Sequence, residues 1–275
     1  MAKLQITLIG CGKMGGGMLR GWLDDASLDA EFVIIEPFAD ALAWTKAHDN
    51  VQIFANREEA QNAGIGASRM IVLAVKPQIM DDALAGISDS GLVGPETTFL
   101  SIAAGITLAR LGACLGDDAA IIRSMPNTPA AIGKGITALY GGTVDAASIE
   151  LARQLLLVTG EVVILDDEAH MDAVTAVSGS GPAYVFLLAE AMSEAGIKAG
   201  LPPALAKQLA EATVSGAGAL IAASDEPPSQ LRVNVTSKGG TTAAALDVLM
   251  GDDALSRLMT RAIAAAKARS IALGG

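Results

Sequence analysis

An α/β sheet domain followed by an all-helical domain is the fold class this sequence predicts. Three observations predict it. Short β-rich apolar runs alternate with helix-compatible stretches through the first part of the chain, the pattern of βαβ units around a mostly parallel sheet. Past Asp166-Asp167-Glu168 no strand-like run recurs, and Ala-rich helical segments take over. The pattern Gly10-Cys11-Gly12-Lys13-Met14-Gly15 directly follows the first apolar run and opens a helix-like one, which makes the first domain Rossmann-type, a dinucleotide-binding fold.

The elements follow in order. Strands are expected at Leu4–Ile9, Phe32–Ile35, Val51–Phe54, Met70–Val75, Thr98–Ile102, Ala120–Ile122, Gly135–Tyr140 and Glu161–Leu165. Each is a short Val/Ile/Leu-rich run, as suits a strand buried on both faces. Helices are expected at Lys13–Leu23, Asp40–Ala47, Ile79–Gly86 and Ala146–Thr159. The second domain should hold helices at Ala183–Ala199, Pro203–Ala223, Thr241–Leu249 and Asp252–Ile271, with Pro227-Pro228 marking a turn. The boundary is placed near Asp166, giving domains of 1–166 and 167–275. The run Pro182-Ala183-Tyr184-Val185-Phe186-Leu187-Leu188-Ala189 is apolar on all sides. A helix of that kind is buried. A subunit interface is the expected cover, against the alternative of a central helix in a monomeric bundle.

Composition bounds the function. Hydrophobic residues are 51% of 275 and aromatics only 3%. The core is ample, but a base-stacking surface for single strands is not. The net charge of -11 repels phosphate backbones, so neither nucleic acid nor anionic membrane is an expected partner. A substrate anion needs local donors. Cys11 and Cys114 form no C-x-x-C pair, and His48 and His170 form no metal-binding spacing. No metal is expected. The run after Met1-Ala2-Lys3 is a strand, not a signal-peptide apolar segment, so a soluble, cytoplasmic protein is expected.

Two glycine loops carry the chemistry. In the first, Gly10 permits a tight turn, Gly12 lets backbone approach a pyrophosphate, and Gly15 permits close helix–strand packing. Glu36 closes the second strand, 21 residues past Gly15, near the spacing of a ribose-binding acid. Its charge leans the cofactor toward NADH over NADPH, although Arg57 could offset that. Lys76-Pro77 and Ala103-Ala104-Gly105 follow two more strands, on the side where open α/β sheets bind ligands. The second loop, Val235-Thr236-Ser237-Lys238-Gly239-Gly240-Thr241-Thr242, precedes a helix. Its N–H groups can cradle a small carboxylate. Helix capping by its Ser and Thr residues is the competing reading.

Together with Arg123–Pro129, Val177–Tyr184 and Ala74-Val75-Lys76-Pro77, these loops closely resemble the pyrroline-5-carboxylate reductase family over nearly the whole chain. The resemblance implies a Rossmann-type NAD(P)-binding domain, a helical dimerisation domain and a site completed by the partner subunit. Relatives can also form larger rings of dimers. It implies hydride transfer from NADPH or NADH to the C=N carbon of 1-pyrroline-5-carboxylate, giving L-proline, the last step of proline biosynthesis.

The resemblance also implies roles by position. Ile9, Gly10, Cys11, Gly12, Lys13 and Met14 hold the pyrophosphate, and Asn56 lies near the adenosine side. Ala74, Val75, Lys76, Pro77, Ile102, Ala103 and Ala104 line the cofactor cleft. Asn234 and Glu168 fall near cofactor and substrate. Ser237, Gly239, Gly240, Thr241 and Thr242 surround the substrate. Thr242, near the imine nitrogen, and Ser237 are the expected catalytic hydroxyls. A threonine is a poor acid, so polarisation and positioning are favoured over general acid catalysis. Lys238 and Glu36 depart from the family pattern. A β-hydroxyacid dehydrogenase is the nearest alternative, but the helix after Pro182 has no lysine before Lys198. A non-catalytic nicotinamide sensor is a second alternative and would not need the Ser237–Thr242 loop.

Overall fold

The computed structural model describes residues 3–274. Among them, eight strands form one sheet: β1 (Leu4–Ile9), β2 (Ala30–Ile35), β3 (Val51–Phe54), β4 (Met70–Leu73), β5 (Thr98–Ser101), β6 (Ala120–Met125), β7 (Gly135–Tyr140) and β8 (Gly160–Ile164). The order is β3-β2-β1-β4-β5-β6-β7-β8. All neighbours run parallel except β6 and β7. The chain direction across the sheet reverses between β1 and β4, so their carboxyl ends border the crevice where such sheets take ligands.

Side chains alternate across this sheet with period two. Ile6, Leu8, Phe32, Ile34, Met70 and Val72 enter one core. Ile9, Val33, Ile35, Ile71 and Leu73 enter the other. Helices cover both faces. On the first lie α1 (Lys13–Asp24) and, later in the chain, α5 (Ala146–Leu157). The second is covered by α2 (Arg57–Asn62), α3 (Met80–Leu84) and α4 (Leu108–Leu115). The buried Trp22 ring of α1 stacks on Phe32 at a centroid distance of 5.6 Å. Its indole N–H donates to the Leu155 carbonyl of α5 at 2.7 Å, so this large aromatic is buried with its polar atom satisfied.

Most expected elements stand near where the sequence puts them, while α2 and α4 had no counterpart in the sequence reading and several bounds shift. The fourth and fifth strands end at Leu73 and Ser101. The sixth runs on to Met125. Residues Ala39–Ala47 form a 3-10 helix. Pro228 opens a helix, α9 (Pro228–Asn234), instead of marking only a turn, as its fixed φ suits a first helical position.

The chain divides into two compact units at Gly179 and Ser180, and residues from Lys267 onward belong with the first. This is beyond the Asp166 boundary. The reason lies in polar ties after that point. Glu168 bonds to β6 and α4, and in α6 (Met171–Val174) Asp172 accepts from the Ser270 hydroxyl at 2.6 Å.

The second unit comprises α7 (Gly181–Lys198), α8 (Pro203–Ala223), α9, α10 (Thr241–Met250) and most of α11 (Ala254–Gly274). α7 packs along α8, and Gly196 leaves room for Ala206. Within α8 only Ala206 and Ala210 are buried, and no residue of α7, α9 or α10 is. The apolar run of α7 is open: Val185, Phe186, Leu187 and Leu188 are 45%, 67%, 62% and 52% exposed.

Candidate active site

The first unit builds a dinucleotide cradle from strand ends. Gly10 N–H donates to Ile35 O at 3.0 Å, Ala74 N–H to Ile9 O at 2.8 Å and Ile102 N–H to Leu73 O at 3.1 Å. These bonds bring Ile9, Gly10, Ala74 and Ile102 to one side of the sheet. Gly10 adopts φ +88°, and a Cβ there would lie 2.8 Å from Val75 Cγ1. No other residue fits that turn without strain. Gly15 rests on the Gly10 carbonyl, and a Cβ on it would also meet Ala74 Cβ at 3.2 Å. Gly12 is different. Nothing lies within 4 Å of where its Cβ would be. It caps α1, no side chain caps that end, and the first turn carries no acid. This open, uncapped helix start fits a pyrophosphate on both space and charge.

The residues expected to line the cofactor cleft are graded by access. Lys13, Lys76 and Ala104 are exposed, Met14, Ala74, Val75 and Pro77 are half-buried, and Ile102 and Ala103 are buried. Lys76 precedes a short 3-10 turn that begins at Pro77.

Cys11 and Glu36 act as a pair. The Glu36 Oε2 accepts from Cys11 N–H at 2.8 Å, and its Oε1 from Phe38 N–H at 3.1 Å. The Cys11 side chain itself is buried, and burial, then the Glu36 charge, pushes its thiol up to about 11. Cys11 is thus inert filler at neutral pH.

Three sequence-expected contacts have other partners. The Asn56 Oδ1 accepts from Glu59 N–H at 2.9 Å while Glu59 Oε2 accepts from Ala55 N–H at 3.0 Å, a reciprocal cap of α2. The Glu168 Oε1 accepts from Arg123 Nη1 at 2.7 Å and from Leu108 N–H at 3.0 Å. In the second unit, Asn234 donates to Glu226 Oε2 at 2.7 Å and accepts from Gln230 Nε2 at 2.8 Å. Arg57 turns its Nη2 to the Ala85 carbonyl, leaving Nη1 buried without a partner. Arg123, whose side chain is 6% exposed, had no role assigned from sequence. Its basic charge inside an otherwise apolar strand, Ala120–Met125, was the available signal, since a buried arginine needs a carboxylate.

The second unit presents the distal loop. Gly239 has φ +70°, and Gly240 N–H donates to Ser237 O at 3.0 Å. A Cβ on Gly240 would run into Ser237 Oγ. Gly240 caps α10, and no side chain caps it. The N-cap position itself is a glycine with no side chain, and the nearby Thr236 hydroxyl donates to Arg232 O. The first bond of the helix is Ala244 N–H to Gly240 O at 3.2 Å. The N–H groups of Thr241, Thr242 and Ala243 precede it and point out of the helix start, where a carboxylate is stabilised. Thr241 is exposed and Thr242 half-buried.

Known proteins place this arrangement. Residues 168–273 match the family described as pyrroline-5-carboxylate reductase dimerisation, and residues 5–105 match NADP oxidoreductase coenzyme F420-dependent. The chain is 38% identical to the pyrroline-5-carboxylate reductase of Pseudomonas aeruginosa, over 99% of this chain and 98% of that one. It is also 38% identical to that of Synechocystis, over 99% of each. The solved pyrroline-5-carboxylate reductase of Coxiella burnetii superposes with a TM-score of 0.90 at 32% identity over the whole of both chains. The Plasmodium falciparum pyrroline carboxylate reductase, solved with NADP bound, superposes with a TM-score of 0.77 at 28% identity, again over both whole chains. A nicotinamide cradle joined to a helical unit, at this identity and coverage, is decisive: the chain belongs to the pyrroline-5-carboxylate reductase family of NAD(P)-dependent oxidoreductases.

Proposed function

We propose that the chain reduces the ring imine of 1-pyrroline-5-carboxylate to L-proline through two separate sets of residues. The observation that carries this reading is the glycine-capped start of α10 beside the hydroxyls of Ser237, Thr241 and Thr242. Its N–H groups at Thr241, Thr242 and Ala243 take the substrate carboxylate without a buried lysine. The Ser237 hydroxyl adds a bond to that carboxylate. The Thr242 hydroxyl donates to the imine nitrogen, orients the ring, polarises the C=N bond and relays to that nitrogen the solvent proton that balances the incoming hydride. Gly239 and Gly240 let the loop close over so small a ring.

In the first unit, Gly12, Lys13 and Met14 supply the pyrophosphate cradle, and Gly10 and Gly15 shape it. Ala74, Val75, Lys76, Pro77, Ile102, Ala103 and Ala104 border the nicotinamide side. The nicotinamide, when bound, supplies the hydride that reaches the imine carbon. Small side chains at Ala74, Ala103 and Ala104 allow close approach, and proximity is the protein's main contribution. Glu36 accepts from the ribose hydroxyls and repels a 2′-phosphate, so NADH is preferred. Glu168 serves the site by holding Arg123 in place. The active unit is a homodimer closed over the apolar face of α7, in the cytoplasm.

The test is oxidation of NADH and NADPH with pyrroline-5-carboxylate, compared with hydroxy acids and keto acids. Turnover with the imine and the higher kcat/KM for NADH are expected. Turnover with the acids alone contradicts the substrate assignment, and a higher kcat/KM for NADPH contradicts the role of Glu36.

A further inference from the structure

Glu36 has more contacts than a ribose acceptor needs. Its Oε2 reaches across 25 positions of sequence to the Cys11 N–H, in the middle of the glycine loop, at 2.8 Å. Its Oε1 is oriented by the Phe38 N–H at 3.1 Å. The main chain on either side is fixed as well. Gly10 N–H donates to Ile35 O at 3.0 Å, and Glu36 N–H to Phe54 O at 3.0 Å. The carboxylate is therefore held on one side by its own strand end and holds the loop on the other. Gly12, the next residue, is the N-cap of α1, and nothing lies within 4 Å of where its Cβ would be. The turn most in need of an anchor is the one Glu36 reaches.

We propose that Glu36 is a positioning residue for the glycine loop as well as the residue that discriminates between cofactors, so that the two properties are coupled. The inference rests on the nicotinamide reading above. Each carboxylate oxygen has a second lone pair, so ribose hydroxyls are accepted while the Cys11 and Phe38 bonds persist. A 2′-phosphate acts differently. It repels the carboxylate, and moving that group aside breaks the Cys11 bond. NADPH is then penalised twice, by charge and by loss of the loop's shape. A bond to a charged acceptor is the stronger kind, so the second penalty is not negligible.

Charge and reach can be separated by two substitutions. Glu36→Gln keeps the length and an acceptor oxygen but loses the charge. Glu36→Asp keeps the charge but withdraws the oxygens by one methylene. Two quantities are measured on wild type and both variants. One is amide hydrogen exchange at Cys11 in ligand-free protein, and the other is the affinity for NADH and NADPH. Glu36→Gln, whose acceptor is neutral, should exchange faster than wild type but slower than Glu36→Asp and lose its discrimination against NADPH. Glu36→Asp should exchange roughly tenfold faster, keep its preference for NADH and bind both cofactors more weakly. Wild-type exchange and wild-type NADH affinity in Glu36→Asp would overturn the proposal and leave charge as the whole role. So would exchange in Glu36→Gln as fast as in Glu36→Asp. If none of the three proteins binds either cofactor, the nicotinamide reading fails, while the exchange rates still decide whether Glu36 holds the loop.

Discussion

The two units of this chain use similar apolar sequence to opposite ends. In the sheet unit, Ile6, Leu8, Ile34, Ile71, Val72 and Leu73 are all fully buried. In the helical unit, Val185 to Leu188 form an equally apolar run and each is close to half exposed or more. The first unit completes its core inside one copy. The second does not, and among its described residues α7, α9 and α10 bury nothing. An exposed apolar face of this kind marks an interaction surface, in keeping with the match of residues 168–273 to a dimerisation family. The contrast teaches that a run apolar all round a helix reports burial without saying in which chain the burial occurs.

The largest expected effect comes from breaking the second half of that contrast. Phe186→Asp with Leu187→Asp places two charges on the α7 face. Light scattering should show a monomer, and reductase activity should be lost. An oligomer of wild-type size from this variant would mean that α7 is not the contact face.

The next changes act on the first unit. Glu168→Ala leaves Arg123 buried without its carboxylate. Breaking such a pair costs about 3 kcal/mol, which denaturant unfolding should register. Restoration of stability by adding Arg123→Met to Glu168→Ala would confirm that the unpaired buried charge is the cause of the loss. Gly10→Ala forces φ +88° on a residue with a Cβ against Val75. A cost of about 1–3 kcal/mol is expected from the backbone alone, together with weaker NADH binding in a fluorescence titration. Gly12→Ala, by contrast, meets no atom in the unliganded chain. It should unfold like wild type and still lose cofactor affinity.

The smallest expected effect concerns the thiols. Cys114 is exposed and Cys11 buried. Iodoacetamide at pH 8 should alkylate Cys114 and spare Cys11, as mass spectrometry would show. The Cys11 thiol is raised from 9.0 to about 11, chiefly by burial. Its contribution to stability is therefore full below pH 9.0 and is lost as the pH climbs through about 11. A stability curve of the sheet unit that is flat across that window would contradict this.

Legibility follows the same division. Strands were readable as short runs rich in Val, Ile and Leu, and Leu4–Ile9, Val51–Phe54 and Gly135–Tyr140 match the sequence reading residue for residue. The long α8 was equally plain. Short α2 was not, since six residues show no helical period. Its one signal was the Asn56 and Glu59 capping pair. α4 escaped for the same reason, although Thr107 caps it. In the site, the glycine loops were legible because turns and close approaches demand glycine. Partners of polar side chains were not. Nothing in spacing shows that Asn234 bonds to Glu226 or that Glu168 bonds to Arg123, because those pairings depend on three-dimensional neighbours. The capping reading of Ser237, Thr241 and Thr242 was open in sequence, and in the structure the N-cap position falls to Gly240.

The substrate loop remains the part of the account on which the reaction depends. Thr242→Ala, with kcat for pyrroline-5-carboxylate reduction and Kd for NADH measured on the same preparation, tests it most directly. A fall in kcat of about tenfold or more with Kd unchanged is the predicted result, in keeping with loss of a polarising hydroxyl. Wild-type kcat in Thr242→Ala would contradict the account.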